Sequence, residues 1–420
     1  MEIIERKLDN GIPVFLLPSS FDDFFVHMCA ANAGSRYETA ERNGMSHFLE
    51  HMMFKGTKKR KTAQDIAIEL EEMGARHNAY TGKEIICFYI DTVHEKFRQV
   101  ADIMSDQIIN SVMRREDVDK ERNVVFQEMA MYESDPSDYV FELIAPMLYG
   151  DQAAGRNILG TRESVGSVTP RKLRYWHRRY FNRDNLVVVA SGKFPSLDVT
   201  MDILNNYYKD VPQIKPPKIF PLEDIDTQLP KLSVEYRDIP QSQMVLVARS
   251  LSAASADRMA LYVATGILGG GMSSRLFEEV REQRGLAYSI YAFGFSNSDT
   301  GYAGVYAGTE PSKLREAIEV IRYELIKISE EGVSDEELKK VKNMRRIDFL
   351  RKKSDYHSMA SFLVQEYTKL GRVTTIDEIL ESLEKVTAED IGRVVSDVFA
   401  PDNLHLAVVG PHEGSIEEAL

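Results

Sequence analysis

The sequence contains little cysteine, with only Cys29 and Cys87 in a chain of 420 residues. Both lie in apolar stretches typical of strands, and neither has the spacing of a cysteine-based zinc site. We therefore predict that they are core thiols rather than a disulfide, which agrees with a reducing cytoplasm. This paucity excludes the small secreted scaffolds that depend on several disulfides.

Long apolar runs and an excess of basic charge are also missing. No window approaches the roughly 18 consecutive apolar residues of a membrane-spanning helix. Residues 1–6 have neither the pattern of a signal peptide nor that of a transit sequence. The formal net charge of −13 argues against a general nucleic-acid binder. We expect a cytoplasmic protein that binds neither nucleic acid nor membrane.

The chain contains two related segments. Residues 167–192 and 385–410 align without gaps: each runs Val-Thr, a helical stretch, Phe-x-x-Asp-Asn-Leu and an apolar run ending in glycine. A proline-rich stretch lies between them and is typical of an extended linker. Because 420 residues exceed one ordinary core, we predict two homologous domains, 1–210 and 233–420, joined by a linker at 211–232.

The coarse pattern of each half alternates strands with long helices. Val14–Leu17 and Ile85–Ile90 are typical of strands, while Thr62–Asp65 forms a capping box for a helix that Gly74 closes. Helices are also predicted near 255–268, 311–331, 335–352 and 355–370. The fold class is therefore α+β, with two homologous domains that each have a mostly antiparallel sheet flanked by helices.

The strongest functional signal is an H-x-x-E-H motif formed by His47, Glu50 and His51. On a helix the two histidines lie one turn apart on one face, with Glu50 beside both. Imidazoles at this spacing can bind one zinc ion, and the carboxylate can reach a nearby water. The flanking residues are apolar nearly all round, so the helix should be buried and its polar groups need a partner. The alternative is a pair of core histidines hydrogen-bonded to the backbone.

A zinc site of this kind needs a third protein ligand. A helix beginning near Arg115 carries a stripe of residues spaced three and four apart, with apolar members that face inward. On this stripe Glu128 is predicted to be the third ligand, and Glu121 to orient a ligand histidine. The alternative is a solvated stripe, or salt bridges such as Glu121 with Lys120 or Arg122. The stripe consists of Val118, Glu121, Val125, Glu128 and Tyr132.

These features resemble the pitrilysin (insulinase) family of zinc peptidases, whose hallmark is an inverted H-x-x-E-H followed much later by two glutamates seven apart. Here 76 residues separate His51 from Glu128, and Glu121 precedes Glu128 by seven. The length is that of the mitochondrial-processing-peptidase-like branch, whose subunits have two domains. Further segments that resemble the family are Gly34–Glu38, Phe54–Thr57, Asn78–Thr81 and Leu268–Phe277.

The resemblance implies a zinc-dependent endopeptidase with one Zn²⁺ per chain, held by the three predicted ligands, and with Glu50 as general base. In the family, an arginine and a tyrosine seven apart bind substrate and stabilise the tetrahedral intermediate at the zinc of the other half. Arg281 and Tyr288 match that spacing. Taken alone, Arg281 would be interpreted as an exposed helix charge. A strand edge for peptide substrate is expected at Asn78, Ala79, Tyr80 and Thr81.

The second half is expected to lack the metal, because Tyr262, Thr265 and Gly266 align approximately with the motif residues. Since the chain carries both the motif and the arginine–tyrosine pair, a homodimer is expected, with a heterodimer containing a related subunit as the alternative. The competing function is a catalytically silent or partner-dependent peptide-binding or structural subunit. A zinc hydrolase with a non-peptide substrate is a third possibility. Manganese or cobalt are further candidate metals, and the missing transit sequence favours a bacterial source.

Overall fold

The computed structural model describes residues 2–19, 23–223 and 229–412. The strands are β1 (Ile4–Lys7), β2 (Pro13–Pro18), β3 (Phe24–Ala31), β4 (Arg76–Thr81), β5 (Ile86–Val93), β6 (Leu186–Gly192), β7 (Leu232–Tyr236), β8 (Ser242–Ser250), β9 (Ala287–Ser296), β10 (Gly301–Thr309) and β11 (Leu404–Gly410). The helices are α1 (Met45–Met53), α2 (Ala63–Glu72), α3 (Phe97–Asn110), α4 (Arg115–Ser134), α5 (Pro136–Glu142), α6 (Ile144–Tyr149), α7 (Arg162–Gly166), α8 (Pro170–Tyr180), α9 (Leu197–Tyr208), α10 (Arg258–Gly269), α11 (Leu314–Glu331), α12 (Asp335–Ser354), α13 (Tyr356–Leu370), α14 (Ile376–Lys385) and α15 (Ala388–Val398).

The strands form two sheets with the same strand order. The first sheet runs β1-β2-β6-β3-β5-β4 and the second runs β7-β11-β8-β10-β9. In each sheet one pair is parallel, β2 with β6 and β7 with β11, and the remaining pairs are antiparallel. Apart from the added hairpin strand β1, the two sheets match position by position. The predicted α+β class with two homologous, mostly antiparallel domains is confirmed.

The aligned segments of the sequence form the same local structure in both halves. The threonine of each Val-Thr pair caps the following helix: Thr169 accepts a hydrogen bond from the Lys172 backbone at the start of α8, and Thr387 accepts one from Asp390 at the start of α15. Each helix leads to a fully buried strand, β6 or β11. The duplication therefore extends from the sequence to the cap, the helix and the strand.

Two compact units are built from pieces of both halves. The first unit contains the described residues of Met1–Met129, Arg156–Phe220 and Leu350–Thr374. The second contains those of Ala130–Gly155, Pro221–Phe349 and Thr375–Leu420. The continuous segments predicted at 1–210 and 233–420 differ from these units because each half gives helices to the unit of the other half.

In this exchange, α13 belongs to the first unit, whereas α5 and α6 belong to the second. The α13 helix packs on β3 and β6, and its Tyr367 ring lies 5.1 Å from that of Phe15 on the neighbouring strand β2. The α5 and α6 helices pack on β8 and β11, where Val140 and Leu148 join a core with Val245. Each sheet thus buries one apolar face beneath helices from the other half of the sequence.

Other expectations from the sequence are met in the described residues. Cys29 and Cys87 are free, buried thiols. The capping box of Thr62 and Asp65 is present at the start of α2. Residues 211–223 and 229–231 form neither helix nor strand. Of the helices described here, none combines the length and apolar character needed to cross a membrane.

Candidate metal centre

The motif helix α1 is buried and held at its start by a carboxylate. Eight of its nine residues are buried, as the apolar pattern predicted, and His51 is half-buried. The buried side chain of Glu38 accepts hydrogen bonds from the backbone N–H groups of Gly44, at 2.7 Å, and Ser46, at 2.6 Å. Gly44 has a φ of 86°, and a Cβ there would lie 2.4 Å from the Leu159 carbonyl oxygen. These contacts fix the direction in which α1 presents its histidines.

His47, His51 and Glu128 converge on one position within the first unit. The Nε2 atom of His47 lies 3.5 Å from Glu128 Oε1, and that of His51 lies 3.4 Å from Glu128 Oε2. The imidazole rings are 4.5 Å apart between centroids. In the part of the chain that the structure describes, these three residues are the one group of side chains that could hold a metal ion. Neither histidine therefore behaves as an ordinary core residue that bonds only to backbone.

The donor set and its spacing fit zinc. Two ligand atoms, each 2.0–2.1 Å from a tetrahedral zinc ion, lie about 3.3–3.4 Å apart, close to the separations found here. Two imidazoles and one carboxylate leave a fourth position open, as catalytic zinc sites require. The Nδ1 atom of His47 is buried and has no hydrogen-bond partner among the described residues, so its Nε2 is the atom directed at the cluster.

The carboxylates around His51 make its imidazole strongly basic when no metal is bound. Burial lowers the pKa of His51, but hydrogen bonds and charge from Glu121 and Glu128 outweigh burial and raise this pKa to about 9. Burial alone would raise the pKa of Glu128, but the imidazoles of His47 and His51 outweigh burial and lower this pKa to about 2. A cation that binds to His51 must therefore displace a proton from its imidazole.

Glu121 contacts the centre from behind His51. Its Oε1 lies 2.9 Å from His51 Nδ1, so the ring nitrogen that faces away from the cluster has a carboxylate partner. Its Oε2 lies 2.6 Å from Lys55 Nζ. Among the described residues, Glu121 forms no salt bridge with Lys120 or Arg122, the alternatives that the sequence left open. Metal-ligating histidines commonly have an outer carboxylate of this kind.

Glu50 lies on α1 between the two histidines and is nearly fully buried. Its Oε2 accepts a hydrogen bond from the hydroxyl group of Thr81 at the end of β4. Among the described strands, β4 pairs only with β5 and is the edge of its sheet. The structure therefore brings the predicted substrate strand, residues Asn78–Thr81, to an open sheet edge whose last residue contacts Glu50.

Arg281 and Tyr288 lie together within the second unit. Arg281 belongs to a π-helical segment, Phe277–Gln283, and Tyr288 lies on β9. The guanidinium carbon of Arg281 is 5.5 Å from the centre of the Tyr288 ring and 4.8 Å from that of Phe277. Tyr288 is 75% exposed and Arg281 is 39% exposed, so both can reach a ligand. π-helical segments occur frequently at functional sites.

The counterpart of α1 in the second unit has different chemistry. Helix α10 lies between β8 and β9, as α1 lies between β3 and β4. The guanidinium carbon of Arg345, from α12, lies 4.0 Å from the centre of the Tyr262 ring. A Cβ at Gly266 would lie 2.6 Å from Val341 Cγ1 and 3.1 Å from Arg345 Nε. Here α12 packs against the backbone of α10, and no ligand triad is found among this unit's described residues.

Two family models match this chain, one after the other along its length. A family model described as "Insulinase (Peptidase family M16)" matches residues 26–162, and one described as "Peptidase M16 inactive domain" matches residues 167–345. The chain belongs to the M16 (insulinase, pitrilysin) peptidase family. The resemblance inferred from the motif and the glutamate pair is thereby confirmed. The candidate ligands His47, His51 and Glu128 all lie in the residues matched by the model described as "Insulinase (Peptidase family M16)".

Individual relatives cover most of the M16 chain. An uncharacterized zinc protease of Streptomyces coelicolor is 33% identical over 386 residues, which cover 91% of this chain and 83% of the relative. The uncharacterized zinc protease YmxG of Bacillus subtilis is 33% identical over 383 residues, with coverages of 90% and 91%. A solved structure of a protease from Helicobacter pylori has a TM-score of 0.91 at 19% identity and covers 98% of this chain and 99% of its own. This last likeness concerns the fold alone.

The sequence did not indicate the roles of three residues that contact the surroundings of α1 and α10. Glu38 caps α1 across six residues, and Lys55 pairs with Glu121 across the gap between α1 and α4. Arg345 contacts α10 from a helix far along the chain. Glu38 and Lys55 lie in segments that already resemble the family, and this was the available signal. Nothing in the pattern around Arg345 distinguishes it from neighbouring helix cations.

Proposed function

We propose that this M16 chain is a zinc-dependent endopeptidase that hydrolyses peptide bonds in short or unfolded peptides. The observation that carries the proposal is the convergence of His47, His51 and Glu128 on one position, with Glu50 on the same helix. The printed names of the relatives, which call them zinc proteases, support it. Zinc held by the three ligands would supply Lewis-acid chemistry, which activates water and polarises a peptide carbonyl.

In this proposal Glu50 is the general base. Its carboxylate takes a proton from the water as the water oxygen attacks the peptide carbonyl carbon. It then delivers that proton to the leaving amine as the C–N bond breaks. The hydrogen bond from Thr81 occupies Oε2 and leaves Oε1 available for the proton.

The substrate is proposed to bind as an added strand along β4. An open edge offers backbone N–H and C=O groups to an extended peptide, so binding energy comes mainly from the main chain. Asn78, Ala79, Tyr80 and Thr81 line this edge. Side-chain preference would then be modest, and extended or unfolded chains would be favoured over folded ones.

Arg281 and Tyr288 are proposed to bind substrate and stabilise the developing oxyanion, since a guanidinium and a phenol both donate hydrogen bonds. We further propose a homodimer in which each site is completed by this pair from the other chain; the alternative is a heterodimer with a related subunit. Mixing Glu50→Gln chains with Arg281→Ala chains tests this. Recovered activity in mixed dimers is expected, and its complete absence would exclude completion between chains.

The decisive experiment is cleavage of a mixed pool of unstructured peptides, with and without a chelator. Wild type is expected to cleave, whereas Glu50→Gln and chelated wild type are not. Glu72→Gln, which alters an exposed carboxylate of α2, is the matched control and should cleave normally. Absence of cleavage by folded, zinc-loaded wild type would contradict the proposal and favour the peptide-binding or structural role.

A further inference from the structure

The segment that follows α1, Phe54–Thr57, is a tightly fixed turn. The N–H group of Lys55 donates to the Met52 carbonyl at 3.1 Å. Gly56 has a φ of 126°, and a Cβ there would lie 2.6 Å from the Lys61 carbonyl oxygen, so only glycine fits without distortion. The backbone of the turn is therefore defined at Lys55 and at the residue after it.

The same turn is tied to helix α4, which carries Glu121 and Glu128. The carbonyl oxygen of Lys55 accepts a hydrogen bond from Arg114 at 2.6 Å. Arg114 also pairs with Asp117 in the first turn of α4, at 2.5 Å. The starting point of the Lys55 side chain is thus fixed relative to the helix that it contacts.

The Lys55 side chain ends on Glu121. Its Nζ lies 2.6 Å from Oε2, while Oε1 lies 2.9 Å from His51 Nδ1. The two oxygens of one carboxylate are therefore divided between a lysine and a histidine. The Glu121 side chain is only 6% exposed, so water can replace little of what either partner supplies.

We propose that Lys55 is a positioning residue for the metal centre and acts on His51 through Glu121. By binding Oε2, Lys55 holds the carboxylate in the orientation that presents Oε1 to Nδ1. It also balances the charge of a buried acid. His51 is then held with Nε2 directed at the cluster. The turn Phe54–Thr57, which resembles the family, would serve to fix Lys55 in place for this contact. This inference rests on the proposed zinc site, because its consequence is zinc affinity.

The effect is expected in metal binding and can be measured without catalysis. Zn²⁺ affinity is determined by competition with a chromophoric chelator, with every variant made in a Glu50→Gln background. Loss of an outer partner of a ligating histidine typically weakens metal binding 10–100-fold. Lys55→Met, which keeps the stem and removes the charge, is expected to weaken Zn²⁺ binding about 10-fold.

Two further variants separate positioning from general packing. Lys55→Arg, which keeps a cation that can reach Glu121, is expected to restore most of the affinity. Lys58→Met, which alters an exposed lysine three residues away, should leave it unchanged. If Lys55→Met folds poorly, Lys55→Gln serves instead, since it retains a hydrogen-bond donor and lacks the charge.

A double-mutant cycle identifies the route. If Lys55 acts through Glu121, then Lys55→Met adds nothing to the loss caused by Glu121→Gln. Additive losses would overturn the proposed route, and unchanged affinity in both Lys55→Met and Lys55→Gln would overturn the role of Lys55. If the Glu50→Gln chain itself bound no Zn²⁺, the proposed zinc site would be wrong, and this inference with it. If that chain bound Zn²⁺ and the Lys55 variants bound it equally well, only the role of Lys55 would be wrong.

Discussion

Helices α1 and α10 occupy the same place in two sheets of identical strand order, yet they carry different chemistry. Around α1, two imidazoles and a carboxylate from α4 form a group of side chains that could hold a metal ion. Around α10, the cation is supplied by the protein itself, because Arg345 of α12 stacks on Tyr262. In both cases a helix of twenty residues packs its side chains against the helix that lies between two strands.

The difference shows how little of the fold the candidate site requires. The strand order, the parallel pair and the threonine caps are common to both halves, so they do not depend on a metal. What differs is the size and charge of a few side chains. At Gly266 the absence of a side chain lets α12 approach the α10 backbone, whereas the aligned His51 points into a cluster.

The largest expected effect comes from removing the anionic ligand. Glu128→Gln should weaken Zn²⁺ binding by more than about 100-fold, because losing a direct ligand costs more than losing an outer partner. Chelator competition measures it. Arg345→Gln, on the equivalent helix of the second unit, is the control and should bind zinc normally. Equal losses in both variants would contradict the distinction between the two regions.

Removal of the metal should lower thermal stability. With free Zn²⁺ at 100 times the dissociation constant, binding stabilises the folded state by about 2.7 kcal/mol. For a unit of this size, that corresponds to a shift in melting temperature of roughly 5–10 °C. Calorimetry with and without chelator checks the shift. The Glu128→Gln variant should show almost none, and a wild-type shift of zero would argue against a site that binds in the folded state.

A side chain at Gly266 should destabilise the second unit. Gly266→Ala would place a methyl group 2.6 Å from a buried valine, Val341. Overpacking costs about 1–3 kcal/mol, which exceeds the roughly 1 kcal/mol gained in helix propensity. Denaturant unfolding measures the change.

The matched control for this prediction is Gly392→Ala in α15. There the nearest atom to a new Cβ lies at 3.7 Å, so the same substitution should stabilise the chain. If both variants were stabilised, the close approach of α12 to α10 would not be a constraint in solution.

The smallest effect is expected for the stacked pair. Arg345→Met should cost about 0.5–1 kcal/mol in unfolding free energy, the usual value of a partly exposed cation–π contact. A double-mutant cycle with Tyr262→Leu isolates the pairwise contribution. A coupling of zero would mean that the arginine contributes only its packing, and the comparison with the metal cluster would lose its electrostatic basis.

Much of the fold and of the candidate cluster was accessible from the sequence because both follow local rules. Helical spacing places His47 and His51 on one face, and the same spacing places Glu121 and Glu128 on one stripe. Capping residues identify the helix starts at Thr62 and elsewhere. The need for a third zinc ligand connected α1 with α4, and the family resemblance supported a contact that periodicity alone does not reveal.

The remaining features depend on tertiary contacts that leave no local trace. The amphipathic pattern of α13 does not indicate which sheet the helix covers, because its apolar side could pack on the apolar face of either sheet. The pairing of Lys55 with Glu121 is equally hidden, since any of the neighbouring lysines could reach a carboxylate. The positions of the exchanged helices are set by the sheets that they bury, so only the folded structure identifies them.

The exchanged helices have a consequence for synthesis on the ribosome. The last strand of the first sheet, β6, ends at Gly192, but α13, which covers that sheet, ends only at Leu370. At about 5–20 residues per second, roughly 10–35 s pass between the two. During this interval every strand of the sheet has been made, whereas the helix that covers one of its apolar faces has not. Apolar surface exposed in this way favours aggregation, so the order of synthesis makes the interval before α13 the vulnerable stage of folding.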